Sequence, residues 1–179
     1  MRSFFSIPVK AKDINIYKNF INNKNKSCAN LINWVLDENL HITLHFLGNI
    51  DKEIIDELIN IIKKSDYIKK IKPFDLQISS IGYLNMPHSK ALVLFVSKNN
   101  ELNNLYNILG DIIISQGVKL ESRDYLPHIT LARVQNNINI KNININNNNQ
   151  IICVNNFDLL ESKLNCKNYL YKKIADFGI

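Results

Sequence analysis

His41-Ile42-Thr43-Leu44 recurs as His128-Ile129-Thr130-Leu131, 87 residues further along a chain of 179. The chain holds only two threonines, and each stands two residues after a histidine. Four histidines are available; placing both threonines this way by chance is on the order of one in a few thousand. Both copies lie in β-like sequence, where side chains at i and i+2 point to the same face. His41 and Thr43 therefore share a face, and so do His128 and Thr130. Ile42, Leu44, Ile129 and Leu131 point the other way, into a core. Each tetrapeptide anchors itself with two aliphatics and presents one imidazole and one hydroxyl.

Two copies in two halves of a fold can face each other across a cleft. Two imidazoles there make a natural acid–base pair. Histidine titrates near ~6.5, so one neutral and one protonated ring coexist near neutrality. Each hydroxyl can donate to a phosphate oxygen. The set suits phosphodiester chemistry without a metal, with each proton transfer worth ~10² to 10⁴ in rate. A single H-x-T-L would more simply be a satisfied strand histidine. The pair, in a chain this short of threonine, favours chemistry.

The rest of the chain supplies a mixed frame. Phe4 to Val9 reads as a first strand, 13–30 as a polar helix, and Leu40 to Leu47 as a strand ending at Gly48. Asp51 fits a helix N-cap, followed by Ile54, Ile55, Leu58, Ile59, Ile61 and Ile62 at helical spacing. Phe74 to Ile81 and Ala91 to Ser97 read as strands. Asn100 to Gln116 reads as a second amphipathic helix with Gly117 as its stop. Tyr125 to Val134, Ile151 to Leu160 and Tyr169 to Phe177 read as further strands. Residues 135–150, QNNINIKNININNNNQ, read as a low-complexity loop or insertion. This order of elements predicts an α+β fold.

Composition bounds the rest. The chain is 46% hydrophobic and 21% charged, which excludes a disordered chain, a fibrous repeat and a disulfide miniprotein. The 29 Asn, 29 Ile and 19 Lys look like a general compositional bias. The net charge of +6 permits a nucleic-acid partner without demanding one. Three cysteines, Cys28, Cys153 and Cys166, have no zinc-ligand spacing and point to a reducing compartment. The N-terminal apolar stretch is too short for a signal-peptide core, and no run approaches the ~20 apolar residues of a membrane span. A cytoplasmic monomer with no membrane contact is expected.

The sequence resembles the 2H phosphoesterase superfamily, and within it the LigT-like RNA 2′,3′-cyclic phosphodiesterases of the 2′-5′ RNA ligase family. The segments that carry the resemblance are RSFFSIP, NLHITLHFLGNI, RDYLPHITLARV and FDLLESKLNCKNYLYKKIADFGI. It implies one bilobal domain over 1–179, with two pseudo-symmetric lobes, mainly antiparallel sheets flanked by helices, and a groove between. It implies hydrolysis of a 2′,3′-cyclic phosphate, on an RNA end or a cyclic nucleotide, to a 2′-phosphomonoester with no cofactor. His41 would be the acid on the 3′-oxygen and His128 the base on water. Thr43 and Thr130 would bind the non-bridging oxygens. Arg133 matches an arginine of the H-x-T-x-x-R pattern as a phosphate contact. Five residues after His128, it lies on the opposite face by ideal alternation, and reaches the groove only if the strand bulges or ends. Asn165-Cys166-Lys167-Asn168 stands where the family often has glycine, a change expected in a turn.

Several neighbours need a reading. His45 shares the face of His41 and Thr43 by alternation and is expected to line the groove. Phe46 is expected in the core with the aliphatics. Tyr125 is a candidate for stacking a terminal base. His88 reads as a loop histidine. Two other functions stay open: joining of RNA halves through a 2′-5′ bond in the same groove, and a non-catalytic nucleotide- or RNA-binding module.

Overall fold

The computed structural model describes residues 1–24, 31–86, 89–134, 150–165 and 168–179. The strands are β1 (Arg2–Pro8), β2 (Ile32–Trp34), β3 (His41–Asn49), β4 (Phe74–Asn85), β5 (Lys90–Val96), β6 (His128–Val134), β7 (Ile151–Val154), β8 (Asn156–Asn165) and β9 (Asn168–Gly178). The helices are α1 (Ala11–Lys24), α2 (Lys52–Lys64), α3 (Asp66–Lys69) and α4 (Asn100–Ser115). The architecture is α+β, on one large antiparallel sheet among the described residues. Its strand order is β7-β4-β5-β6-β3-β1-β8-β9, with β2 paired to the free side of β6 near its end.

The two motif strands meet in the middle of this order. β3 and β6 are antiparallel and in register at Ile42 and Ile129. Both isoleucines are fully buried. This pair is the seam between the two halves of the sheet, β7-β4-β5-β6 and β3-β1-β8-β9.

The helices form where the apolar spacing demands. α2 buries Ile55, Leu58 and Ile62, and α4 buries Leu102, Leu105, Leu109 and Ile113. Asn99 caps α4 by accepting from the Leu102 N–H at 2.7 Å. Gly117, with φ of 75°, lets the chain leave α4 through the left-handed region. Asp51 has extended N-cap geometry, but its side chain makes no cap hydrogen bond. Ser65 does cap α3, accepting from Ile68.

The strand expectations need three adjustments. Residues 151–160 form two strands that lie far apart in the sheet: β7 pairs with β4, and β8 with β1 and β9. β6 starts at His128, because Pro127 has no N–H for a ladder. β4 runs four residues beyond Ile81, to Asn85. The end of the first helix after Lys24, His88, and the Asn-rich segment up to Asn149 lie outside the described residues. So does the 166–167 part of the glycine departure.

Candidate active site

The two motif strands carry the same burial pattern over seven residues, well past the repeated tetrapeptide. His41, Thr43 and His128, Thr130 are partly exposed, and Ile42, Leu44, Ile129 and Leu131 are buried. Then the alternation breaks in both strands at the same place. His45 and Ala132 are buried, and Phe46 and Arg133 are exposed.

Pairing explains the break. Phe5 faces His45 while the next residue, Ser6, faces Thr43, so Leu44 is an extra residue in β3. Leu92 faces Ala132 while Val93 faces Thr130, so Leu131 is the extra residue in β6. A bulge of this kind shifts every later side chain to the other face. Arg133 thereby joins the face of His128 and Thr130, which removes the objection from ideal alternation. Its guanidinium is also close enough to Tyr171 to oppose the rise that burial imposes on that phenol's pKa.

The same bulge corrects two expectations in β3. His45 does not line the groove. It is 5% exposed, its Nε2–H donates to the Tyr106 carbonyl of α4 at 2.8 Å, and its ring stacks on Tyr106 at 4.0 Å. Burial lowers its pKa, with the hydrogen bond to Tyr106 opposing. Phe46 is not in the core. It is 46% exposed, opposite Phe4 on β1, with the rings 5.6 Å apart.

The antiparallel seam sets the four polar groups together. With Ile42 opposite Ile129, His41 falls beside Thr130 and Thr43 beside His128, all on the face away from the isoleucines. Each imidazole is held by its own strand entrance. His41 Nδ1–H donates to the Asn39 carbonyl at 2.6 Å, and His128 Nδ1–H to the Leu126 carbonyl at 2.7 Å. In both rings this leaves Nε2 as the nitrogen not held by the backbone.

His41 rests on aromatic rings. Phe4 lies 5.1 Å from it, and Tyr171 meets it edge-on at 5.3 Å. Asn39 also reaches β9, its Nδ2 donating to the Tyr169 carbonyl at 3.1 Å. Burial lowers the His41 pKa; the Asn39 hydrogen bond opposes this, and the charge of His128 adds to it. Phe4, Asn39 and Tyr171 were not singled out in the sequence. Only Asn39, two residues before His41 as Leu126 is before His128, had a readable signal.

Tyr125 is stacked elsewhere. One face lies on Tyr106 at 3.9 Å, extending the His45–Tyr106 column, and its hydroxyl is buried without a partner among the described residues. Its pKa is pushed well up by burial, then by Tyr106. That placement gives it a packing role and leaves base stacking without support.

Residues 3–172 match the family described as AKAP7 2′5′ RNA ligase-like domain. The chain belongs to this family. It is a LigT-like member of the 2H phosphoesterases. Relatives named RNA 2′,3′-cyclic phosphodiesterase share 31% identity over 58% of the chain in Methanocaldococcus jannaschii, and 30% over 57% in Thermotoga maritima. The chain spans 56% and 54% of the length of these two relatives. Among solved structures, E. coli LigT complexed with 3′-AMP superposes with a TM-score of 0.78 at 21% identity, over 99% of this chain and 97% of that one. A Kluyveromyces marxianus Usb1 structure gives 0.57 at 10% identity, over 88% and 92%. Both likenesses concern the fold.

Proposed function

We propose that this LigT-like protein hydrolyses a 2′,3′-cyclic phosphate, at an RNA end or on a nucleotide, to a 2′-phosphomonoester and a free 3′-hydroxyl. The observation that carries this is the seven-residue structural repeat. Two imidazoles, each tied by Nδ1 to the carbonyl two residues before it, offer Nε2 to one shared face beside two threonines. The relatives' name supports the same reading.

His128 Nε2 takes a proton from water as the oxygen attacks phosphorus. The bond from phosphorus to O3′ breaks, and His41 Nε2–H gives its proton to that oxygen. His41 ends neutral and His128 protonated, and solvent restores both. The reaction needs His41 protonated, whereas burial favours its neutral form. A bound phosphodiester brings a negative charge that favours the imidazolium. Thr43 and Thr130 donate to the non-bridging oxygens, and Arg133 adds a charge-assisted contact. Phe46, with an exposed face on the same side, is placed to meet the terminal base. The acid–base pair supplies both proton transfers, so the reaction runs without a metal. Residues 1–179 act as one bilobal domain, consistent with a family match from 3 to 172. The odd cysteine count fits a cytoplasmic setting.

The test is product analysis with a cyclic-phosphate-ended oligonucleotide and 2′,3′-cyclic AMP in EDTA. The 2′-phosphate is expected, with turnover lost in a folded His128→Ala variant. A 3′-phosphate would exchange the leaving oxygen and the acid. Normal turnover by His128→Ala, or none by the wild type, would remove the mechanism.

A further inference from the structure

Ser6 is fully buried, and its hydroxyl has no hydrogen-bond partner among the described residues. A buried unpaired hydroxyl gives up its hydration for nothing in return, so its position needs a reason. Ser6 lies in β1 two residues after Phe4, and so on the face that carries the His41 ring. It sits directly opposite Thr43 in β3. Facing residues of an antiparallel pair have Cβ atoms about 4.5–5.5 Å apart, within reach of two short hydroxyl side chains.

On its other side Ser6 faces Asp158 of β8. That carboxylate is already engaged on both oxygens, by Asn156 at 3.3 Å and Lys173 at 2.9 Å. The Ser6 hydroxyl makes no hydrogen bond to it. The other half of the fold lacks this arrangement. Thr130 faces Val93, and Val93 faces Gly82. The two halves match along their H-x-T strands and differ one strand away.

We infer that Ser6 is a positioning residue for Thr43: its hydroxyl donates to Thr43 Oγ1 once Thr43 donates its own proton to a substrate phosphate oxygen. A hydroxyl that accepts a hydrogen bond is polarised and donates more strongly. Ser6 also restricts the Thr43 rotor to the orientation that points its O–H into the groove. The two non-bridging oxygens are then held unequally, with the stronger donor on the Thr43 side. This inference rests on the proposed phosphodiesterase reading for its kinetic consequence, but its binding consequence stands apart.

The test compares wild type with Ser6→Ala in three measurements. The first is the rate on natural 2′,3′-cyclic AMP and on the two diastereomers of its cyclic phosphorothioate. Sulfur is a poor acceptor, so the diastereomer with sulfur toward Thr43 already lacks the supported contact. Ser6→Ala should lower kcat/KM on the natural substrate about 3- to 10-fold, the worth of one hydrogen bond. It should leave the rate on that diastereomer nearly unchanged. The second is the affinity for adenosine 2′-monophosphate, expected to weaken by a similar factor. The third is thermal stability, expected to hold or rise, because an unpaired buried hydroxyl is removed.

An equal loss on all three substrates, an unchanged rate and affinity, or a marked fall in Tm would overturn the inference. If the wild type turns over no cyclic substrate yet binds the 2′-nucleotide, and Ser6→Ala weakens that binding, the phosphodiesterase reading falls and the Ser6 inference stands. If the wild type neither turns over nor binds, both fall together.

Discussion

Acid should weaken this fold in part through His45, and replacing that one residue should remove the part. The ring is 5% exposed, stacked on Tyr106 and bonded to its carbonyl through Nε2–H. Gly110 of α4 leaves room beside it: a Cβ there would stand 3.4 Å from the imidazole Cε1 and Nε2. Burial lowers the folded-state pKa of His45 below the ordinary 6.5. The unfolded chain then binds the proton more readily, so stability is full above about pH 6.5 and falls as pH drops. From pH 6.5 to 5 the loss from one such histidine is at most about 1.5 × 1.36, or about 2 kcal/mol. His45→Gln keeps an N–H near the Nε2 position and cannot titrate. At pH 8 the variant should be less stable by about 1–2 kcal/mol, for the lost stack and volume. At pH 5 that gap should shrink by as much as about 2 kcal/mol, or about 4–8 °C in Tm for a chain this size. His41 also has a lowered pKa, but it titrates in both proteins and cancels in the comparison. The assay is thermal unfolding by circular dichroism from pH 5 to 8. A gap that stays constant across that range would refute the burial argument.

Other outcomes follow from the site and the seam. His41→Ala and His128→Ala should each lower kcat by about 10² to 10⁴ with the fold intact, and the double variant should fall far short of the product of the two losses. With His41 as the acid, the basic limb of kcat/KM should begin below pH 6.5, since that profile reports the free enzyme. The limb for kcat should lie higher, because bound phosphate favours the imidazolium; coincident limbs would contradict the assignment. Arg133→Lys should raise KM nearly as much as Arg133→Ala, as an ammonium cannot reproduce the guanidinium fork, and full rescue by lysine would argue for a charge effect alone. Ile42→Ala should cost about 2–5 kcal/mol by chemical denaturation. It should also reduce turnover well below the unfolding transition, because Ile42 and Ile129 register the two motif strands.

Much of the site was legible because strand periodicity is local. His41, Thr43, His128 and Thr130 share faces by spacing alone, and their aliphatic neighbours are buried as that spacing requires. The helices around Leu58 and Leu105 were legible for the same reason. His45 and Phe46 were misread because the same rule was carried one residue too far. The clue was present in Arg133, a charged group two residues past Leu131 and next to buried Ala132 and Val134. The cut between β7 and β8 was not legible, since Ile151 to Leu160 reads as one apolar run around Asn155 and Asn156. What separates them is choice of partner: Phe74 to Gln77 for one, Ser3 to Ser6 for the other.

By itself the sequence determined which histidines and threonines share a strand face, and the family. A scarce residue at a fixed offset from histidine survives any compositional drift, and parity within four residues of a strand needs no tertiary information. Only the tertiary structure decided what lies around these pairs. Bulges at Leu44 and Leu131 are properties of a strand pair, since an extra residue exists only relative to a partner. They turn Arg133 and Phe46 toward the face of the two histidines and His45 toward α4. The opposition of Ser6 and Thr43, and the rings of Phe4 and Tyr171 beneath His41, depend in the same way on which strands lie side by side.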